Sequence, residues 1–236
     1  MQFETRSQFI ENHPTRVHYD NPKMYRWTSW DANTPFAPVY DVPVYIDDCG
    51  DKISKDLVEL LVTNNIGSRE TWTSYNIFSR KEFVIGLLLD RIYQVYTDYM
   101  TELKEKPLPK NKLWIRGWGV RLNADEGIDH HSHAFHENTY LSGNISLSDL
   151  DTTTDYYFPY IGWYFDYWEL ENKFGKMVLF PSWLEHKVQP NITGKVRFSL
   201  GFDMFTEHTM NYISNNRNNS SVLQNIIMLS ERMDHV

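Results

Sequence analysis

The chain has 236 residues, enough for one domain with a substantial core, and no Pro-, Gly- or Ser-rich linker divides it. Its 23 Lys and Arg against 31 Asp and Glu leave a net charge of -8 with no basic run that could track a phosphate backbone, which argues against duplex nucleic acid as a main partner. The single Cys49 excludes an intrachain disulfide framework and a thiolate-based zinc module, and no stretch reaches membrane-spanning length, so the expectation is a soluble, cytoplasmic protein with no membrane partner.

Residues 1–40, with scattered aromatics and prolines, read as an irregular arm over the body. "VYDVPVYI" reads as a strand. Beyond it, Ile53, Leu57, Leu60 and Leu61 keep helical spacing until Gly67, which predicts a helix over roughly 52–65. Ser79 and Glu82 have capping-box spacing. Val84, Leu88, Ile92, Val95, Tyr99 and Leu103 then form one apolar stripe that ends before Pro107, so a second, longer helix is predicted. Residues 41–112 are thus expected to be helical support.

"DHHSHAFHEN", residues 129–138, holds four of the nine histidines in a seven-residue window, flanked by Asp129 and Glu137. His131 and His133 have the i, i+2 spacing that lets two side chains on extended backbone reach one ion. His133 and His136 across a short bulge are an alternative pair, so His133 belongs to both solutions. A closed structural zinc site would normally want a fourth protein ligand, often a thiolate, and Cys49 lies far away in sequence. Asp129 is a candidate acceptor for an imidazole N–H.

Two segments alternate at period two. In "YLSGNISLS", Leu141, Ile145 and Leu147 oppose Ser142, Asn144, Ser146 and Ser148. In "VRFSLGFDMF", Val196, Phe198, Leu200, Phe202 and Met204 oppose Arg197, Ser199, Gly201 and Asp203. The polar faces fit either a sheet with one solvated side or a small barrel with a polar lumen. Between them, nine of the thirteen positions from Tyr156 to Trp168 are aromatic, suited either to packing against a barrel or to lining a substrate site.

In "LFPSWLEHKVQPNITGKVRFS" a strand ending at Phe180 leads to His186, a turn from Asn191 to Gly194 reverses the chain, and the returning strand carries Arg197 and Ser199 on one face. Arg197 offers a planar fork for a carboxylate, and Ser199 can add a further hydrogen bond. An early His motif, a late His and then Arg-x-Ser make a sharper pattern than any one of them.

With "LSGNISL" and "LFPSWLEHKVQPNITGKVRFSLGF", the chain resembles the iron(II)- and 2-oxoglutarate-dependent oxygenases, most closely a group of small members often encoded by phages. The resemblance covers roughly residues 113–205. It implies a mainly β (α+β) fold, a double-stranded β-helix of jelly-roll, cupin-like type over 113–205 with supporting N-terminal helices and a C-terminal helical extension over 206–236, all one domain. It implies Fe(II) as cofactor and 2-oxoglutarate and dioxygen as co-substrates, with succinate and CO2 released as an unidentified substrate is hydroxylated. By the same resemblance His186 is an iron ligand, completed by His131 (or His136) and His133, while Arg197 and Ser199 hold the distal carboxylate of 2-oxoglutarate. Asn144 is a further cosubstrate-binding candidate, and His133, His186 and Arg197 are the residues on which catalysis would depend. The family's His-x-Asp or His-x-Glu motif is absent: no histidine of the cluster has a carboxylate two positions later. A three-His dioxygenase without 2-oxoglutarate and a non-catalytic metal-binding jelly-roll are the rival classes; a homodimer is compatible with all three.

Overall fold

In the computed structural model, which describes residues 23–28, 41–67, 75–134, 140–158, 167–215 and 225–230, two antiparallel sheets face each other. The larger has the order β1 (Met24–Thr28), β2 (Asp41–Asp48), β8 (Lys176–Pro181), β5 (Leu141–Ser146), β10 (Arg197–Thr206), β3 (Leu113–Leu122), β11 (Ile227–Met228). The smaller has the order β4 (Ile128–His131), β9 (Glu185–Val188), β6 (Thr153–Tyr157), β7 (Tyr167–Glu171). This is the jelly-roll, double-stranded β-helix architecture. Within the expected irregular arm, Met24–Thr28 is a strand paired with β2; the rest of the arm lies outside the described residues.

The two helices cover the outer face of the large sheet. α1 (Asp51–Thr63) buries Leu57, Leu60 and Leu61. α2 (Phe83–Glu102) buries Val84, Leu88, Ile92, Val95 and Tyr99, the stripe seen in the sequence. They pack on Ile115, Leu141, Ile145, Leu200, Phe202 and Met204, the apolar faces of β3, β5 and β10. Fully burying such side chains stabilises by roughly 1.5–3 kcal/mol each, which is why the helices form where they do. Val196 is the exception among the residues assigned to that face: it precedes β10 and is 38% exposed.

The Ser79 capping box does not form. Ile77–Ser79 is a separate 3-10 turn whose cap is Asn76, accepting from the Phe78 N–H, and α2 begins after Glu82. Glu82 is instead held by the Arg80 guanidinium, and the Ser79 N–H that the box would need is taken by the Asn76 carbonyl at 3.0 Å. α3 (Glu207–Asn215) follows β10 directly, and β11 pairs with β3 at the edge of the large sheet.

Glycine sets one critical approach. Phe202 lies between Gly143 on β5 and Gly117 on β3 in the sheet register, and a Cβ on Gly143 would stand 2.3 Å from the Phe202 ring. Only a bare backbone admits that ring flat against the strand.

Candidate metal and cosubstrate site

The polar faces settle the choice left open by alternation, because they are buried between the sheets. Ser142, Ser146, Arg197, Ser199 and Asp203 are each at most 6% exposed. Apolar residues of both sheets close the lumen around them: Val42, Val44, Val178 and Phe180 meet Tyr156 and Leu170 at one side, and Val120 and Leu122 meet Val188 at the other.

His131 and His186 are register partners across β4 and β9, and Tyr156 on β6 is the next partner in the same row. His133 follows β4, tied by its N–H to the Ser182 carbonyl at 2.9 Å. The structure therefore brings His131, His133 and His186 together, with one ring nitrogen of each lying within 4.8 Å of the others. His136 and Glu137 lie outside the described residues.

Each imidazole has its Nδ1 committed to an oxygen. His131 Nδ1 is 2.7 Å from the Asp129 carbonyl, His186 Nδ1 is 3.0 Å from the Leu184 carbonyl, and His133 Nδ1 is 2.6 Å from Asp203 Oδ1. Carbonyls and carboxylates only accept, so every Nδ1 carries a proton, and the neutral form of each ring has its lone pair on Nε2. Three imidazoles gathered in this way suit a divalent metal, and a fixed tautomer is what such ligation needs. It is the Asp129 main chain, not its exposed carboxylate, that serves His131. Burial holds the His131 and His186 imidazoles below their ordinary range, the latter well below, with neighbouring imidazoles adding to the effect, so both favour the neutral, ligating form. Cys49 is buried in the helix-side core, behind the large sheet, and is no ligand.

Asp203 was not singled out by the sequence, although it stands on the same strand face as Arg197 and Ser199. Its Oδ1 accepts from Ser142 Oγ at 2.8 Å as well as from His133, and its Oδ2 accepts from Arg116 at 3.0 Å. Burial alone would raise the Asp203 carboxyl, but His133, Arg116 and Ser142 hold it below its usual range. Trp118 covers this corner, its ring centroid 5.4 Å from that of His133.

Further along β10, Arg197 is 4% exposed and donates to Ser199 Oγ at 3.3 Å. No carboxylate among the described residues pairs with it. Burial pushes its guanidinium down to about 10, so in the protein alone this cation is poorly compensated. Asn144, in register with Gly201 between these two ends, donates from Nδ2 to the Tyr156 hydroxyl at 2.8 Å and so ties the sheets together across the lumen. The turn before β10 is built by Asn191, which is buried and donates to the Asn123 carbonyl at 3.2 Å while Gly194 takes φ +71.

Of the aromatic stretch, Tyr156, Tyr157, Phe158, Tyr167 and Trp168 lie within the described residues. Tyr156 faces the lumen, and Trp168 packs with Tyr25 and Trp27 at its edge, so packing accounts for these. Residues 159–166 lie outside the described ones.

Residues 159–203 match the family described as "Putative 2OG-Fe(II) oxygenase". No curated protein sequence matches the chain. Among solved structures the fold is similar to a prolyl-4-hydroxylase of Pseudomonas putida, at TM-score 0.54 and 12% identity over 70% of this chain and 86% of that one. It is also similar to SnoN, a non-heme alpha-ketoglutarate dependent epimerase from nogalamycin biosynthesis, at TM-score 0.52 and 12% identity over 69% and 78%. A third is HygX from Streptomyces hygroscopicus, crystallised with nickel and 2-oxoglutarate, at TM-score 0.50 and 13% identity over 70% and 82%. At these identities the structures speak for the fold, and the resemblance read from the sequence stands on the matched segment. No helix among the described residues is long and apolar enough to cross a membrane.

Proposed function

We propose that the protein is an iron(II)- and 2-oxoglutarate-dependent oxygenase that hydroxylates its substrate, with 2-oxoglutarate, dioxygen and R–H giving succinate, CO2 and R–OH. The observation that carries this reading is Arg197. A guanidinium buried without a carboxylate partner among the described residues, in the same lumen as three converging imidazoles, asks for an anionic ligand that reaches toward them. A 2-oxo dicarboxylate has the two ends this arrangement requires.

In this reading His131, His133 and His186 hold the iron, leaving room for the cosubstrate and dioxygen on the open side. Bound there, iron(II) supplies the activation of dioxygen that is coupled to oxidative decarboxylation of the 2-oxo acid. The chain's own work is binding and placement. Arg197 grips the distal carboxylate with its planar fork and Ser199 Oγ adds a hydrogen bond to the same group. Successive lumen positions on β10 lie roughly 6–7 Å apart, so Gly201, beside Asn144 and Tyr156, sits between the carboxylate end at Arg197 and the imidazole end at Asp203. The apolar residues that close the lumen exclude water from these charges and strengthen their interactions.

The test is stoichiometric. Purified protein supplied with Fe(II), 2-oxoglutarate and air is expected to release succinate, faster when a metabolite pool containing the substrate is added. Oxidation of a substrate without succinate would favour the three-His dioxygenase class, and neither event under any metal loading would favour a non-catalytic metal site.

A further inference from the structure

Three imidazoles leave a divalent site one negative charge short of a set that includes a carboxylate ligand. The structure holds that charge one hydrogen bond away. Asp203 is 1% exposed, and its Oδ1 receives the His133 Nδ1–H at 2.6 Å, the length of a charge-assisted bond. The other two imidazoles give their Nδ1–H to neutral main-chain carbonyls. His133 alone is backed by an anion.

We propose that Asp203 is a positioning residue for the metal: through His133 it returns to the three-imidazole site the negative charge that its direct ligands lack. The inference rests on the reading that His131, His133 and His186 bind a metal. A carboxylate behind an imidazole fixes the ring's orientation and makes its far nitrogen a stronger donor. Ser142, which donates to the same Oδ1 and contacts Ser182 Oγ at 2.9 Å, holds the carboxylate in place from β5. Arg116 at the other oxygen is its register partner on β3 and offsets the buried charge. It also competes with His133 for the carboxylate's electron density.

That competition separates this role from a merely structural one. If Asp203 served only to pair β10 with β3 through Arg116, removing either partner would have the same effect. If it serves the metal, the two removals differ.

The experiment is competition of Co(II) between the full-length protein and a chelating dye, read together with the visible cobalt absorption, for wild type, Asp203→Asn, Arg116→Gln, the double variant and His186→Ala. Asp203→Asn keeps the shape but loses the charge, and its Co(II) affinity is expected to fall about 10–100-fold with a shifted cobalt band. Arg116→Gln is expected to bind as tightly as wild type or more tightly. Where Asp203→Asn takes the carboxylate from the buried Arg116 guanidinium and fails to fold, the double variant removes both charges together, and it is expected to show the same weakened binding. Wild-type affinity and spectrum in Asp203→Asn or the double variant, or equal weakening in Arg116→Gln, would overturn the role of Asp203 while leaving the metal site intact. Failure of wild type to bind Co(II), or undiminished binding by His186→Ala, would overturn the metal site itself and this inference with it.

Discussion

Arg197 and Asp203 stand six residues apart on one face of β10, both buried and opposite in charge, and neither neutralises the other. At about 3.3 Å per residue the strand sets them roughly 20 Å apart. Asp203 is paired with Arg116 and His133, whereas Arg197 has only a neutral hydroxyl partner among the described residues. One strand thus carries a compensated end beside the imidazoles and an uncompensated end that accounts for the ligand.

The uncompensated end makes the first prediction. Since burial disfavours the charged guanidinium, pushing its pKa down to about 10, Arg197→Met is expected to stabilise the ligand-free protein by about 1–3 kcal/mol, the usual cost of a poorly satisfied buried polar group, while abolishing its gain in stability from 2-oxoglutarate. Thermal unfolding with and without 2-oxoglutarate checks both halves. A destabilised ligand-free variant would mean that Arg197 has a structural partner.

Metal binding depends on the imidazoles and not on the core. His133→Ala and His186→Ala are expected to lose stoichiometric iron with the sheets intact by circular dichroism, because the lumen walls and the helix-side core remain. His131→Ala is expected to lose it too, and His136→Ala to keep it. Retention in His131→Ala with loss in His136→Ala would assign the third ligand to His136.

Two glycines with opposite surroundings test the packing. Gly143→Ala forces a Cβ to 2.3 Å from the buried Phe202 ring and is expected to cost about 1–3 kcal/mol or more. Gly86→Ala, inside α2 with nothing within 4 Å of the new methyl, is expected to stabilise by roughly 0.5–1 kcal/mol. Urea unfolding midpoints check the pair.

The helix-side core also predicts alkaline sensitivity. Burial raises the Tyr45, Tyr96, Tyr99 and Tyr140 phenols above their ordinary value. Tyr96 and Tyr140 join α2 to the start of β5 through a 2.9 Å hydroxyl contact. A group whose pKa is raised on folding contributes stability that is fully present below its unfolded value, about 10, and lost as pH rises above it. Unfolding midpoints are therefore expected to hold up to about pH 9 and fall beyond about pH 10, with a shallower fall in Tyr96→Phe/Tyr140→Phe. An unchanged slope in that variant would contradict the assignment.

Much of this was legible in the sequence because it was periodic. The α2 stripe, the alternation in β5 and β10 and the Arg-x-Ser pair each declare a face, and the structure puts those faces where the alternation requires. Alternation alone could not say whether the polar faces were wet; that depended on the small sheet, whose strands β4, β6 and β9 are four or five residues long and leave little pattern to read. Asp203 escaped for a related reason. It sits at the period-two position after Gly201, on the same face as Arg197, but its importance comes from Arg116 and Ser142 on neighbouring strands and His133 beyond β4. Asp129 does accept an imidazole N–H, but through its carbonyl, which no residue identity announces. The Ser79 motif failed because Asn76 caps a separate 3-10 turn there and its carbonyl takes the Ser79 N–H, while Arg80 holds the Glu82 carboxylate.

The central claim is that one lumen holds both a three-imidazole metal site and a carboxylate-binding arginine, and anaerobic titration of 2-oxoglutarate into the iron(II)-loaded protein tests it most directly. Wild type is expected to develop the visible metal-to-ligand charge-transfer band of a chelated 2-oxo acid. Arg197→Ala is expected to bind iron but need orders of magnitude more 2-oxoglutarate, since it loses charge-assisted hydrogen bonds of roughly 1.5–3 kcal/mol each; Arg197→Lys should recover part of this and Ser199→Ala should lose about 0.5–3 kcal/mol. No band in iron-loaded wild type, or a band that forms as readily in Arg197→Ala, would contradict the account.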